Sequence, residues 1–169
     1  PDYLTPQQGR ILFRGADLLQ QDEATLQGMR GKDMAMIFQE PLSALNPLMT
    51  VGEQINEVMR VHNAYPGPER MRRTLELLAF VGLPDPATLY HVYPFRLSGG
   101  QRQRATLGRA QGPGPALLIA DEPTTALDVT IQAQILALIA RIQKEKGMGV
   151  MFVTHDFGVV ADIADRVSV

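Results

Sequence analysis

Asp121 and Glu122 close the apolar run Leu117-Leu118-Ile119-Ala120. In an open α/β sheet, sites form at the C-terminal ends of strands. A carboxylate there can hold Mg²⁺, directly or through water. A second carboxylate beside it can orient and deprotonate an attacking water. Alone, such a pair is more often a solvated turn. Leu97-Ser98-Gly99-Gly100-Gln101 is more specific. Ser98 can cap a helix, and the two glycines let an anion approach the backbone closely. The helix N-terminus adds free N–H groups and the positive end of a dipole. Gln39 follows the apolar run ending at Phe38, and its amide could ligate Mg²⁺ or position water. His155 also ends an apolar run. Taken singly, a loop glutamine and a strand-end histidine are usually structural.

The elements that position these residues are legible from periodicity and breakers. Gly9 to Gly15 reads as one short strand, Arg10-Ile11-Leu12-Phe13-Arg14, bounded by glycines. A polar helix is predicted near 22–27, and Met34-Ala35-Met36-Ile37-Phe38 as a buried strand. Pro41, Asn46 and Pro47 open a loop. The signals over 51–111 are mainly helical. Over 69–81, Met71, Leu75, Leu78 and Phe80 are expected near one face. Ser98 starts another helix, which Gly112-Pro113-Gly114-Pro115 must end. Leu117 to Ala120 and Val150 to Val153 read as further buried strands. Val129 to Lys146 reads as the clearest helix, with a stripe of Ile131, Ile135, Leu138 and Ile142 and a C-cap at Gly147. Buried strands alternating with helices imply an α/β fold with a mainly parallel sheet.

Composition bounds the class. Hydrophobic residues make up 45% and charged residues 20%, as in an ordinary globular domain. The net charge of -2 gives no general grip on nucleic acid. There is no cysteine, hence no disulfide framework and no cysteine metal site. No apolar run approaches the roughly 18–20 residues that span a bilayer. The chain does not begin with Met and ends within the apolar run Arg166-Val167-Ser168-Val169, so both ends are expected to be cuts.

Gln39, the Ser98–Gln101 turn, Asp121-Glu122, Asp128 and His155 occur in one order, and in that order the chain resembles the ATPase domains of ABC transporters over essentially its whole length. Phe38-Gln39-Glu40-Pro41 looks like the Q-loop, and Leu97 to Gln101 like the family signature. Leu117 to Glu122 looks like Walker B, Ala126-Leu127-Asp128 like the D-loop, and Thr154-His155-Asp156 like the switch histidine. The text from Gln39 to Pro47, Thr50 to Ile55 and Ile119 to Gln134, with Tyr93-Pro94, is similar to dipeptide, oligopeptide and glutathione importers. Nickel importers share much of it.

The resemblance implies a P-loop NTPase-like sheet with an inserted helical subdomain. It implies one domain over 1–169, with a core of 1–40 and 112–169 and helices over about 41–111. It further implies ATP and Mg²⁺ as cofactors. Glu122 and His155 would be catalytic. Gln39, Ser98, Gly99, Gly100, Gln101, Asp121 and Asp128 would bind ATP, with Gln39 and Asp121 on Mg²⁺. Ser98, Gly99 and Gly100 would serve the ATP held by a second ATPase domain. The other partners would be transmembrane permease subunits and, indirectly, a substrate-binding protein, with no nucleic acid. The place implied is the cytoplasmic face of the plasma (inner) membrane. The rival readings are a soluble ABC-type ATPase outside transport and a non-catalytic fragment that only docks.

Two features depart from the family. The phosphate loop Gly-x4-Gly-Lys-Ser/Thr does not occur in these residues. Around Gly31-Lys32 the first glycine is replaced by Leu26, and Asp33 stands in place of the hydroxyl residue. In the family that loop and the adenine-stacking aromatic lie upstream of the Gly9–Gly15 stretch. The second departure is Gly108-Arg109, within a helix that the family makes apolar and alanine-rich. Arg70, Arg72 and Arg73 read as a solvated face, and Met34, Met36, Met148 and Met151 as core. His62 and His91 have no ligand-like partner.

Overall fold

The computed structural model describes residues 9–39, 44–125 and 127–168. The first strand expected from the sequence is instead a hairpin, β1 (Leu12–Phe13) and β2 (Ala16–Asp17). Arg14 (φ 49°) and Gly15 (φ 82°) form its turn. Two successive positive φ angles make a type I′ turn, whose twist matches that of paired strands. Gly15 thus turns the chain inside the unit that it was expected to bound.

Helix α1 (Glu23–Met29) follows, its N-terminus capped by Asp22, which accepts from Thr25 N at 2.8 Å. Strand β3 (Met34–Ile37) then leads to a helical stretch: α2 (Val51–Val61), α3 (Gly67–Phe80), α4 (Pro86–Tyr90) and α5 (Gly99–Ala110). Strand β4 (Leu117–Asp121), α6 (Val129–Lys146), β5 (Gly149–Val153) and α7 (Phe157–Ile163) complete the order. Strands β3, β4 and β5 lie side by side and parallel, with Met36 opposite Ile119 and Ile119 opposite Met151.

Side chains alternate across a strand. One face of this sheet carries Ala35, Ile37, Leu118 and Ala120, all buried. Ala35, Ile37 and Leu118 join Leu107 of α5, Ile135, Leu138 and Ile142 of α6, and Ile55, Met59, Leu78 and Val81 of the helical stretch in a single core. Full burial of each such aliphatic side chain contributes about 1.5–3 kcal/mol. The other face carries Met36 and Met151, 42% and 51% exposed. These two methionines are therefore not core, whereas Met148 is. An apolar run reads alike whether one or both of its faces are covered.

Helix α6 follows the predicted stripe. Asp128 caps its start, accepting from Ile131 N at 2.9 Å, and Gly147 ends it at φ 60°. In α3 the buried face is Thr74, Leu77 and Leu78, while Met71 is exposed. The stripe is thus rotated from the one expected. Arg72 and Arg73 pair with glutamates on the solvated side. Arg70 instead turns inward, donating to Asn56 Oδ1 and the Tyr65 carbonyl, and ties α3 to α2. Among the described residues no helix is long and apolar enough to cross a membrane.

Candidate functional site

The C-terminal ends of three adjacent parallel strands bring Gln39, Glu122 and His155 together. Gln39 Nε2 donates to Glu122 Oε2 at 2.7 Å. His155 Nδ1 lies 2.7 Å from Glu122 Oε1. Thr125 Oγ1 donates to the same Oε2 as Gln39, at 2.9 Å. Asp121 is the last residue of β4, and Glu122 N then donates to the Val153 carbonyl at 2.9 Å. That bond carries the ladder one residue beyond the strand and aims Glu122 at the strand end of β5. Glu122 itself has φ 44°. A left-handed backbone at a non-glycine residue costs of order 1–3 kcal/mol and persists where the surroundings over-determine it.

The electrostatics follow from these contacts. The hydrogen bond from His155, then that from Thr125, hold the Glu122 carboxyl below the usual carboxylate range. Reciprocally, Glu122 raises the His155 imidazole above its usual value, by the hydrogen bond first and by its charge second. His155 is otherwise open to solvent, its side chain 78% exposed against 21% for Glu122.

The Ser98–Gln101 turn stands apart from this group. Ser98 Oγ accepts from Gln101 N at 3.3 Å and Gln101 Oε1 accepts from Ser98 N at 3.0 Å, a reciprocal capping box that opens α5. No hydrogen bond among the described residues joins it to Glu122. It lies instead against the start of α6: a Cβ on Gly99 would stand 3.6 Å from Leu127, and one on Gly100 only 2.9 Å from Ile131. Asp128 is placed in the same neighbourhood as the cap of α6.

Thr125 was not singled out by sequence reasoning, although its spacing from Glu122 is local. Gln103 and Arg109 were also missed as contacts. Gln103 Nε2 donates to the Pro123 carbonyl at 2.5 Å and Arg109 Nη1 to the Ala44 carbonyl at 2.6 Å. Partners so distant in sequence leave no local signal. Gly108 causes no break in α5, and a Cβ there would meet Ile55 and Val81 at ordinary contact distance, 3.6 Å.

A parallel sheet with polar and acidic groups gathered at its strand ends, and a capped glycine turn on the helical stretch, define an α/β protein of the cassette type. The chain belongs to the ABC transporter family, whose pattern it matches over residues 2–125. It is 52% identical over 161 residues to the peptidoglycan transport ATP-binding protein YejF of Agrobacterium fabrum, covering 95% of this chain and 30% of that protein. The oligopeptide transport ATP-binding protein OppD of Bacillus subtilis is 50% identical over 161 residues, covering 95% and 45%. The glutathione import ATP-binding protein GsiA of Escherichia coli is 56% identical over 153 residues, covering 90% and 25%. The chain thus spans between about a quarter and a half of the length of these relatives. Among solved structures, the dimeric ATP-binding cassette MJ0796 in a post-hydrolysis state with ADP and Pi superposes with a TM-score of 0.77. It is 31% identical, with 91% of this chain and 66% of that chain covered.

Proposed function

We propose that this chain is part of the ATP-hydrolysing subunit of an importer for peptides of the dipeptide, oligopeptide or glutathione kind. The observation that carries the reading is the convergence of Gln39, Thr125 and His155 on one carboxylate, Glu122, at the ends of three parallel strands. In this reading Glu122 accepts the proton of the attacking water, and His155 orients that water and the γ-phosphate.

The residues fit Mg²⁺. Asp121 and Gln39 offer two side-chain oxygen ligands at adjacent strand ends. A cation held by one or two protein oxygens, with phosphates completing its shell, matches such a sparse set. Bound there, Mg²⁺ would neutralise phosphate charge. The chain's own contribution is to place Asp121 and Gln39 beside the base.

Gly99 and Gly100 supply the free N–H groups of a helix start, on a turn that Ser98 and Gln101 hold by their capping box, directed to a nucleotide held by a second ATPase domain. Asp128, at the cap of α6, lies next to that junction. The partners are then a second such domain and permease subunits at the cytoplasmic face of the membrane, with a substrate-binding protein acting through the permease. The domain division proposed is a core of 1–40 and 112–169 with the helices of 41–111 inserted. Relatives named for peptide, oligopeptide and glutathione transport support the cargo class.

The test is ATP turnover by the full-length protein reconstituted with its permease, with and without peptide. Turnover that peptides stimulate is the expected result. ATP turnover without any link to a membrane subunit would point to a non-transport ATPase instead.

A further inference from the structure

Helix α5 carries two side chains whose partners are backbone carbonyls of other segments, Pro123 next to Glu122 and Ala44 in a loop. Gln103 is fully buried. Its Nε2 donates to the carbonyl of Pro123, the residue that follows Glu122. Its Oε1 has no partner among the described residues. A buried amide left half-satisfied costs free energy that an apolar side chain of the same size would not. The donated bond is therefore what the position gains. Arg109, farther along the helix, reaches the Ala44 carbonyl in the segment that follows Gln39. Gln54 of α2 holds that same segment from the other side. Its Oε1 accepts from Asn46 N at 2.9 Å, and its Nε2 donates to the carbonyls of Asn46 and Met49, each at 3.0 Å.

One helix thus holds two segments: through Gln103 the turn that carries Glu122, and through Arg109 the loop at Ala44. The left-handed backbone at Glu122 needs such outside constraint. We infer that α5 is a brace: Gln103 is a positioning residue that holds the turn carrying Glu122, and Arg109 ties the same helix to the loop at Ala44. A shift of the Ser98–Gln101 turn, at the N-terminus of the same helix, then reaches both. The consequence for turnover rests on the ATPase reading, but the brace itself does not.

The variants are Gln103→Met and Arg109→Met, which keep side-chain bulk and remove the donor, and Arg109→Lys, which restores one. Hydrogen exchange in the full-length protein is the first readout. Gln103→Met is expected to speed the amides of Thr125 and Leu127 about tenfold, and Arg109→Met those of Asn46, Leu48 and Met49 by a similar factor, with α6 unchanged. Arg109→Lys should return the loop to within about threefold of wild type. Turnover is the second readout: both Met variants should lower kcat about tenfold or more with KM for ATP within about twofold. Unchanged local exchange, or a rise spread evenly over the molecule, overturns the brace. Faster local exchange with unchanged kcat overturns the positioning role in turnover. If Gln103→Met does not fold, the Arg109→Met and Arg109→Lys pair decides. A wild-type protein without ATP turnover would refute the ATPase reading, and exchange alone would then judge the brace.

Discussion

His155 Nδ1 and Glu122 Oε1 are 2.7 Å apart, joining two strand ends separated by 33 residues of chain. The pairing shifts both groups, Glu122 down and His155 up, so each favours the charged form of the other. The Glu122 carboxylate is thereby kept ionised, and the exposed imidazole is kept able to carry a proton.

The pH dependence follows from the two directions. The raised imidazole contributes stability that is complete below its ordinary value, about 6.5, and is lost as pH rises through its folded pKa. The lowered carboxyl contributes stability that is complete above its ordinary value, about 4.3, and is lost as pH falls through its folded pKa. The pair is therefore strongest between about pH 4.3 and 6.5. Titration of the His155 ring signal by NMR should show a midpoint above that of a free imidazole. In Glu122→Gln that midpoint should fall back toward the ordinary value. An unchanged midpoint would mean that the two side chains do not meet in solution.

Glu122→Gln keeps the size of the side chain and removes the carboxylate that the proposed function makes the base. In the full-length protein, turnover should fall about 10²–10⁴-fold with ATP affinity retained. Single-turnover assays beside nucleotide-binding measurements check this. Retention of more than about a tenth of the activity would show that another group activates the water.

Ser98→Arg places a bulky cation at the start of α5 and removes half of the capping box. Loss of the cap costs about 1 kcal/mol, which the fold should survive. ATP binding by the separated subunit should stay near wild type, while ATP-driven dimer formation should fail. The assay is sedimentation of the protein with Glu122→Gln in the background. Loss of binding by the separated subunit would place the Ser98 turn in the same nucleotide site as Asp121.

Two glycines of the helical stretch should respond in opposite senses to alanine. At Gly108 the new methyl meets Ile55 and Val81 at 3.6 Å, so Gly108→Ala should stabilise the protein by about 1 kcal/mol. At Gly52 it would stand 2.2 Å from the Tyr90 ring, so Gly52→Ala should destabilise by about 1–3 kcal/mol. Urea denaturation of both variants checks the sign of each change.

What was legible in the sequence follows from which interactions are local. Helix α6 was visible because its apolar stripe repeats with the helix period and both caps lie within its own text. The strands β3, β4 and β5 were visible as apolar runs closed by polar residues. The type I′ turn at Arg14-Gly15 was missed because Gly15 was read as a boundary. The resemblance put Gln39, Glu122 and His155 in order, but their hydrogen bonds depend on strands pairing in the order β3-β4-β5, which periodicity does not encode. The holds of Gln103 on Pro123 and of Arg109 on Ala44 are set by how α5 lies across the sheet and loops, and no neighbouring residue announces either.

Met36, Ile119 and Met151 stand in one row across three strands, with Val153 further along the same face, 44% exposed. Strand β5 is the last strand of the sheet among the described residues. Exposed apolar side chains gathered on one face of a sheet are a template for adhesion. Expressed by itself at high concentration, this stretch of chain should light up a hydrophobic dye, scatter light and enter inclusion bodies. The methionines that would do least harm inside a core become, on that open face, the residues that govern whether the polypeptide can be kept in solution.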